Sequence, residues 1–175
     1  MKGVAAVEFR FATADDVAGI ADLVERAYRG PEADRGWTTE THLLSGPRAR
    51  ATDIEALVAG RDSRFVLAET TGELVGCALV QRAGDDAYFG MFAVDPLHQA
   101  GGIGRSLLRA CEDAARALWS AQAMTMSVIS LRSELIDWYV RRGYQRSGTS
   151  EPFPFHEGSG ELRSDFELIH LTRGL

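Results

Sequence analysis

Apolar and polar residues alternate along Val7-Glu-Phe-Arg-Phe-Ala, which predicts a strand turning Val7, Phe9 and Phe11 toward a core. The period then lengthens. Val17, Ile20, Leu23, Val24, Ala27 and Tyr28 recur at three- and four-residue spacing and predict a helix. Thr13 is its expected N-cap, Asp15 and Asp16 suit its first turn, and Gly30-Pro31 breaks it. Thr52 to Gly60 predicts a short second helix with Thr52 at its start. Arg64–Glu69 and Leu74–Val80 flank Thr70-Thr-Gly-Glu73, a hairpin signal. A second turn at Gly84-Asp-Asp86 leads into a third strand that Pro96 ends, completing an antiparallel meander. Ile103, Leu107, Leu108, Cys111, Ala114, Ala115 and Leu118 share one face of the next helix. A strand follows at Ala123–Ser130, and the helix between makes a crossover that predicts a parallel pair. Ser130 or Ser133 is expected to cap the last helix, Glu134 to Arg142, with Gly143 as its C′ residue. Asp165 to Thr172 closes the chain with an alternating strand, and residues 147–164 read as loop.

The glycines at the start of the third helix carry the first chemical signal. Gly101, Gly102 and Gly104 fall where backbone N–H groups are free and the helix dipole is positive. Without a Cβ, glycine lets a ligand reach those groups, so the stretch is an expected phosphate site.

Composition narrows the partners. The chain has 175 residues, enough for a single domain over 1–175, with a formal charge of −6 and a pI near 5.2. That acidity argues against nucleic acid, whose binding needs a basic face. No apolar run could cross a membrane and no signal peptide is evident, so the expected location is cytoplasmic. Cys77 and Cys111 lie inside apolar segments without ligand partners at metal spacing, so they are read as core residues and no metal is expected.

Three phosphate motifs compete for the glycine stretch. A P-loop needs lysine after its last glycine, but Gly104 is followed by Arg105-Ser106. A dinucleotide fingerprint needs a third glycine and a βαβ unit at the start of the fold, and both are missing. Gln99-Ala-Gly-Gly102-Ile-Gly104 instead matches Q/R-x-x-G-x-G/A in full, directly after Val94-Asp-Pro96. Together with the order of elements and the ending Asp137-Trp-Tyr139-Val-Arg-Arg-Gly143-Tyr144, the chain resembles the GNAT superfamily of N-acetyltransferases over roughly residues 7–146.

The resemblance implies an α/β fold: a mixed, mostly antiparallel central sheet, a parallel pair splayed at its centre, and helices on both faces. It implies acetyl-CoA as cosubstrate. The pyrophosphate would be cradled by Gln99, Ala100, Gly101, Gly102, Ile103, Gly104 and Arg105, with Ser106 in reach, and Arg109 stands one turn further on. The pantetheine arm would lie along Phe92, Ala93 and Val94, and Tyr139 would protonate the leaving thiolate. The strand glutamate that serves many members as base has no counterpart among Tyr88, Phe89, Gly90, Met91 and Phe92; Glu40, Glu151 and His156 are the loop candidates. Leu131-Arg132-Ser133 stands where members often carry an asparagine. The acceptor, a small-molecule or peptide amine, would be walled by a lip within residues 31–62 and by Glu151–His156; Trp37, Glu40, Glu151, Phe153 and His156 are the candidate contacts. Their carboxylates and aromatics suit a cationic or amphipathic amine. A non-catalytic acyl-CoA-binding module is the competing reading, and an exposed sheet edge is compatible with a homodimer.

Overall fold

A computed structural model describes residues 6–29 and 39–175; Trp37 lies outside them. Seven strands form one sheet: β1 (Val7–Phe11), β2 (Ser63–Thr70), β3 (Glu73–Ala83), β4 (Asp86–Val94), β5 (Ala123–Ile129), β6 (Gln145–Pro152) and β7 (Glu167–Gly174). Their order across the sheet is β1-β2-β3-β4-β5-β7-β6. All neighbouring pairs are antiparallel except β4 and β5. The predicted mixed sheet with one parallel pair is therefore present.

Four helices cover it: α1 (Val17–Tyr28), α2 (Ala51–Ala59), α3 (Ile103–Trp119) and α4 (Ser133–Val140). On one face Ile20, Leu23, Val24 and Ala27 of α1 and Ile54 of α2 meet Phe65, Leu67, Cys77 and Leu79. On the other, Leu107, Leu108 and Cys111 of α3 and Leu135 and Ile136 of α4 meet Val66, Val80, Phe89 and Met126. Both cysteines are buried and unpaired, as expected of core residues.

Several local expectations change. Phe9 and Phe11 are 38% and 44% exposed, because β1 is an edge strand that the helices leave partly uncovered. Leu118 is 39% exposed at the far end of α3. Thr13 does form a capping box with Asp16, but it opens a 3₁₀ turn that runs into α1. Thr52 lies inside α2, whose N-cap is Arg50. The N-cap of α4 is Arg132, so neither Ser130 nor Ser133 takes that place. The expected loop from 147 begins only after Pro152. β6 carries no apolar pattern because it is an exposed edge strand, held by pairing with β7 from Gln145↔Thr172 to Pro152↔Glu167.

Candidate active site

The parallel pair holds together only at Ala87↔Met124 and Tyr88↔Thr125, after which β4 and β5 part. At the same level β4 bulges. Leu79 pairs with Gly90 and Cys77 with Ala93, so Met91 and Phe92 stand opposite a single β3 residue. Met91 sits at φ 45°, in the left-handed region that a long side chain rarely adopts. The Tyr28 hydroxyl on α1 donates to the Phe92 carbonyl and anchors the bulge. The parting opens a cavity of about 490 Å³ between Phe89–Phe92 and Met126–Ile129.

A second cavity, of about 530 Å³, starts on the other side of Phe92 and runs over the glycine stretch. Gln99 to Gly101 make a 3₁₀ turn, Gly102 takes φ 77°, and α3 begins at Ile103. Ser106 donates back to the Gly102 carbonyl, so the N–H groups of Ile103, Gly104 and Arg105 precede the first bond of the helix. A Cβ on Gly104 would come within 3.1 Å of the Phe92 ring, whereas one on Gly101 or Gly102 would meet nothing within 4 Å. Gly104 thus answers to packing, Gly102 to its backbone angle, and Gly101 borders open space. The Gln99 amide donates to the Val94 carbonyl at 3.0 Å and ties the turn to the end of β4.

Arginines complete this second cavity: Arg105 from α3 and Arg141 and Arg142 from the end of α4. The Arg142 guanidinium stacks 3.5 Å over the Trp138 ring, and its Nε is buried without a partner among the described residues. Burial, then Arg141 and Arg105, hold Arg142 below its ordinary pKa. A nest of N–H groups flanked by three guanidiniums fits a pyrophosphate.

Tyr139 packs beside Phe92, which lines both cavities. It is buried against Phe92, Trp138 and Tyr144, at ring distances of 6.3, 5.1 and 5.8 Å, and lines the first cavity. Its hydroxyl makes no hydrogen bond among the described residues. Burial raises its pKa well above 10.0, so the phenol keeps its proton at neutral pH. The next turn is held firmly: Tyr144 donates to Glu112 at 2.9 Å, and Arg173 reaches the same carboxylate at 2.9 Å.

The far wall of the first cavity carries a charge cluster. Glu40 is 4% exposed. Its two carboxylate oxygens accept separately from Arg29 at 2.8 Å and Arg132 at 3.2 Å. Arg48 approaches at 3.7 Å, and its guanidinium lies 5.1 Å over the Tyr28 ring. Burial alone would raise the Glu40 carboxyl; Arg48, Arg132 and Arg29 more than offset it and hold the group below 4.5. His156 borders the same cavity, and its Nδ1 is 3.0 Å from the Glu157 carbonyl. A carbonyl only accepts, so Nδ1 carries the hydrogen and Nε2 is left as an acceptor.

Of the expected donor residues, Phe92, Val94, Gln99, Ala100, Gly102, Gly104 and Arg105 line one cavity together. Ala93 and Ile103 belong to the same stretch but turn their side chains into the two cores. Glu40, Phe153 and His156 meet in the first cavity. Glu151 does not join them: it is exposed on β6, 3.4 Å from His170. Arg29 and Arg48 escaped the sequence reading, and Arg132, Arg141 and Arg142 entered it without a role at these cavities. Lys2 is the only lysine, so arginine supplies almost every positive charge and no single one stands out. The described residues contain no cluster of ligands fit for a metal. None of their helices is long and apolar enough to span a membrane.

A splayed parallel pair with an N–H nest below it is the arrangement of the GNAT fold. Residues 61–146 match the acetyltransferase (GNAT) domain. No curated protein matches the sequence. Solved structures share the fold at low identity. The ribosomal-protein-S18-alanine N-acetyltransferase of Escherichia coli is 16% identical with a TM-score of 0.73, covering 97% of this chain and 94% of that one. Salmonella typhimurium yncA, solved with its cofactor acetyl-CoA, is 20% identical with a TM-score of 0.70, covering 97% and 94%. Spermidine/spermine N-acetyltransferase SpeG of Vibrio cholerae, in complex with manganese ions, is 14% identical with a TM-score of 0.67, covering 96% and 92%.

Proposed function

We propose that this chain moves an acetyl group from acetyl-CoA to a primary amine by direct attack within a ternary complex. The observation that carries the reading is the meeting of two cavities at Phe92, with the Tyr139 phenol beside it. The N–H groups of Ile103, Gly104 and Arg105, with Arg141 and Arg142, hold the pyrophosphate. The arm runs along Phe92 to Val94 toward the first cavity. The bulge at Met91 and Phe92 turns backbone N–H groups away from the β3 ladder, and one of them polarises the thioester carbonyl.

The amine nitrogen bonds to the acetyl carbon, the carbon–sulfur bond breaks, and Tyr139 gives its proton to the departing sulfur. The amine proton leaves through water or to Nε2 of His156. Glu40 does not take it, because both its oxygens are engaged by guanidiniums. Positive charge on that wall also disfavours an ammonium, which helps present the acceptor as free base. The acetyltransferases of this fold whose names include S18 alanine and spermidine support an amine as acceptor.

The test is thiol release from acetyl-CoA against a panel of amines. Amine-dependent release is expected; CoA binding without release on any amine would overturn the catalytic reading.

A further inference from the structure

Among the described residues the first cavity is lined by three guanidiniums, Arg29, Arg48 and Arg132, and by one carboxylate, Glu40. Glu25 is the next acid, but it does not line the cavity; its Oε1 accepts from the backbone N–H groups of Arg48 and Ala49. Arg29 and Arg132 are 8% and 7% exposed and grip Glu40 from two sides. Arg48 differs. Its side chain is 30% exposed, it makes only the 3.7 Å contact to Glu40, and it forms no side-chain hydrogen bond among the described residues. Its guanidinium carbon lies 5.1 Å over the Tyr28 ring centroid, and an aromatic ring occupies none of its N–H donors in a carboxylate-like fork.

We propose that the acceptor amine also carries a carboxylate, in the simplest case a free amino acid with an apolar side chain, and that Arg48 receives that carboxylate. This rests on the reading that the first cavity holds the acceptor. A carboxylate matches the donor fork of a guanidinium and relieves the excess positive charge on the wall. A polyamine would add to that excess, and the carboxylate that could have welcomed it is already engaged. Leu57, Leu79, Met126 and Phe153 supply apolar surface for a side chain. Of the cationic or amphipathic amine that the sequence suits, the arginine wall favours the amphipathic one that carries a carboxylate. The acid that faces the cavity is outnumbered by arginines that come from the end of α1, the segment before α2 and the start of α4.

The experiment compares phenylalanine, leucine and methionine with the amide and the decarboxylated amine of each, and with spermidine and O-phosphoethanolamine. The expected kcat/KM ratio of acid to amide is about 10- to 100-fold. In Arg48→Gln that ratio falls toward one, and Arg48→Lys keeps part of it. CoA binding by the same variants checks their fold. Calorimetry with the N-acetyl amino acids and their amides, in the presence of CoA, reads the same preference without turnover. If turnover fails on every amine, a carboxylate preference that Arg48→Gln removes still upholds the inference, while the acetyl-transfer reading falls. The inference is overturned by any of four results: equal use of acid and amide, preference for spermidine, stronger use of O-phosphoethanolamine than of any acid, or an acid-to-amide ratio that Arg48→Gln leaves intact. Absence of binding by all the N-acetyl amino acids overturns it as well.

Discussion

The two cavities that meet at Phe92 are built by different means. The cavity proposed for the donor is built mainly on one stretch, Phe92 to Arg105, whose backbone N–H groups are fixed by a turn and a helix start, with Glu134 to Arg142 as its other wall. The cavity proposed for the acceptor is assembled from side chains of α1, the segment before α2, α2, β3, β4, β5, the start of α4, the segment after β6, and β7. Backbone recognition tolerates changes of side chain as long as φ and spacing hold. Side-chain recognition depends on which residue each distant segment contributes. One half can therefore stay constant while the other changes its ligand.

The largest expected effect lies at the junction. Tyr139→Phe should lower kcat by about 100-fold or more with little change in acetyl-CoA affinity. Unaltered kcat in single-turnover kinetics would remove the phenol from the proton path.

Glu40→Gln tests whether the acceptor wall is a charge cluster locked around one carboxylate. Removing that charge leaves Arg29 and Arg132 buried without it and should destabilise the fold by about 3 kcal/mol, read by denaturant titration. The sign of its pH dependence follows from the lowered carboxyl. The folded state binds this proton less readily than the unfolded chain, so the contribution is full above 4.5 and is lost as pH falls through the depressed value. The melting-temperature gap between the natural protein and the variant should be widest at neutral pH and close toward strong acid. A gap that widens on acidification would contradict the ion cluster.

Gly104→Val tests the donor side. A side chain at this position meets the Phe92 ring and crowds both the helix start and the junction. A rise of about 10-fold in the KM for acetyl-CoA is expected, corresponding to about 1.4 kcal/mol of lost binding. The smallest effect belongs to Arg142→Gln, a few-fold weakening of acetyl-CoA that shrinks at high salt. If that weakening were indifferent to salt, the guanidinium would serve Trp138 rather than a phosphate.

Most of the sheet was legible because its strands and turns leave local marks. Thr71 and Gly72 both take positive φ in the predicted hairpin, and Gly143 takes φ 94° where a helix end was expected. The extent of β6 was not legible, since an exposed edge strand needs no apolar alternation. The bulge at Met91 was equally hidden: it arises from unequal spacing of β3 and β4, and neither strand shows it alone.

By itself the sequence determined the order of elements, the parallel crossover and the glycine turn at the start of α3. The elements and the turn depend on residues within a few positions of one another, and the crossover follows from their order. Only the tertiary structure decided the charge of the cavity proposed for the acceptor. Glu40 lies in a segment rich in acids, and nothing local announces that Arg29, Arg48 and Arg132 will close on it. The sign of a buried site is a sum over residues brought together by folding, and that sum is not written in any one segment.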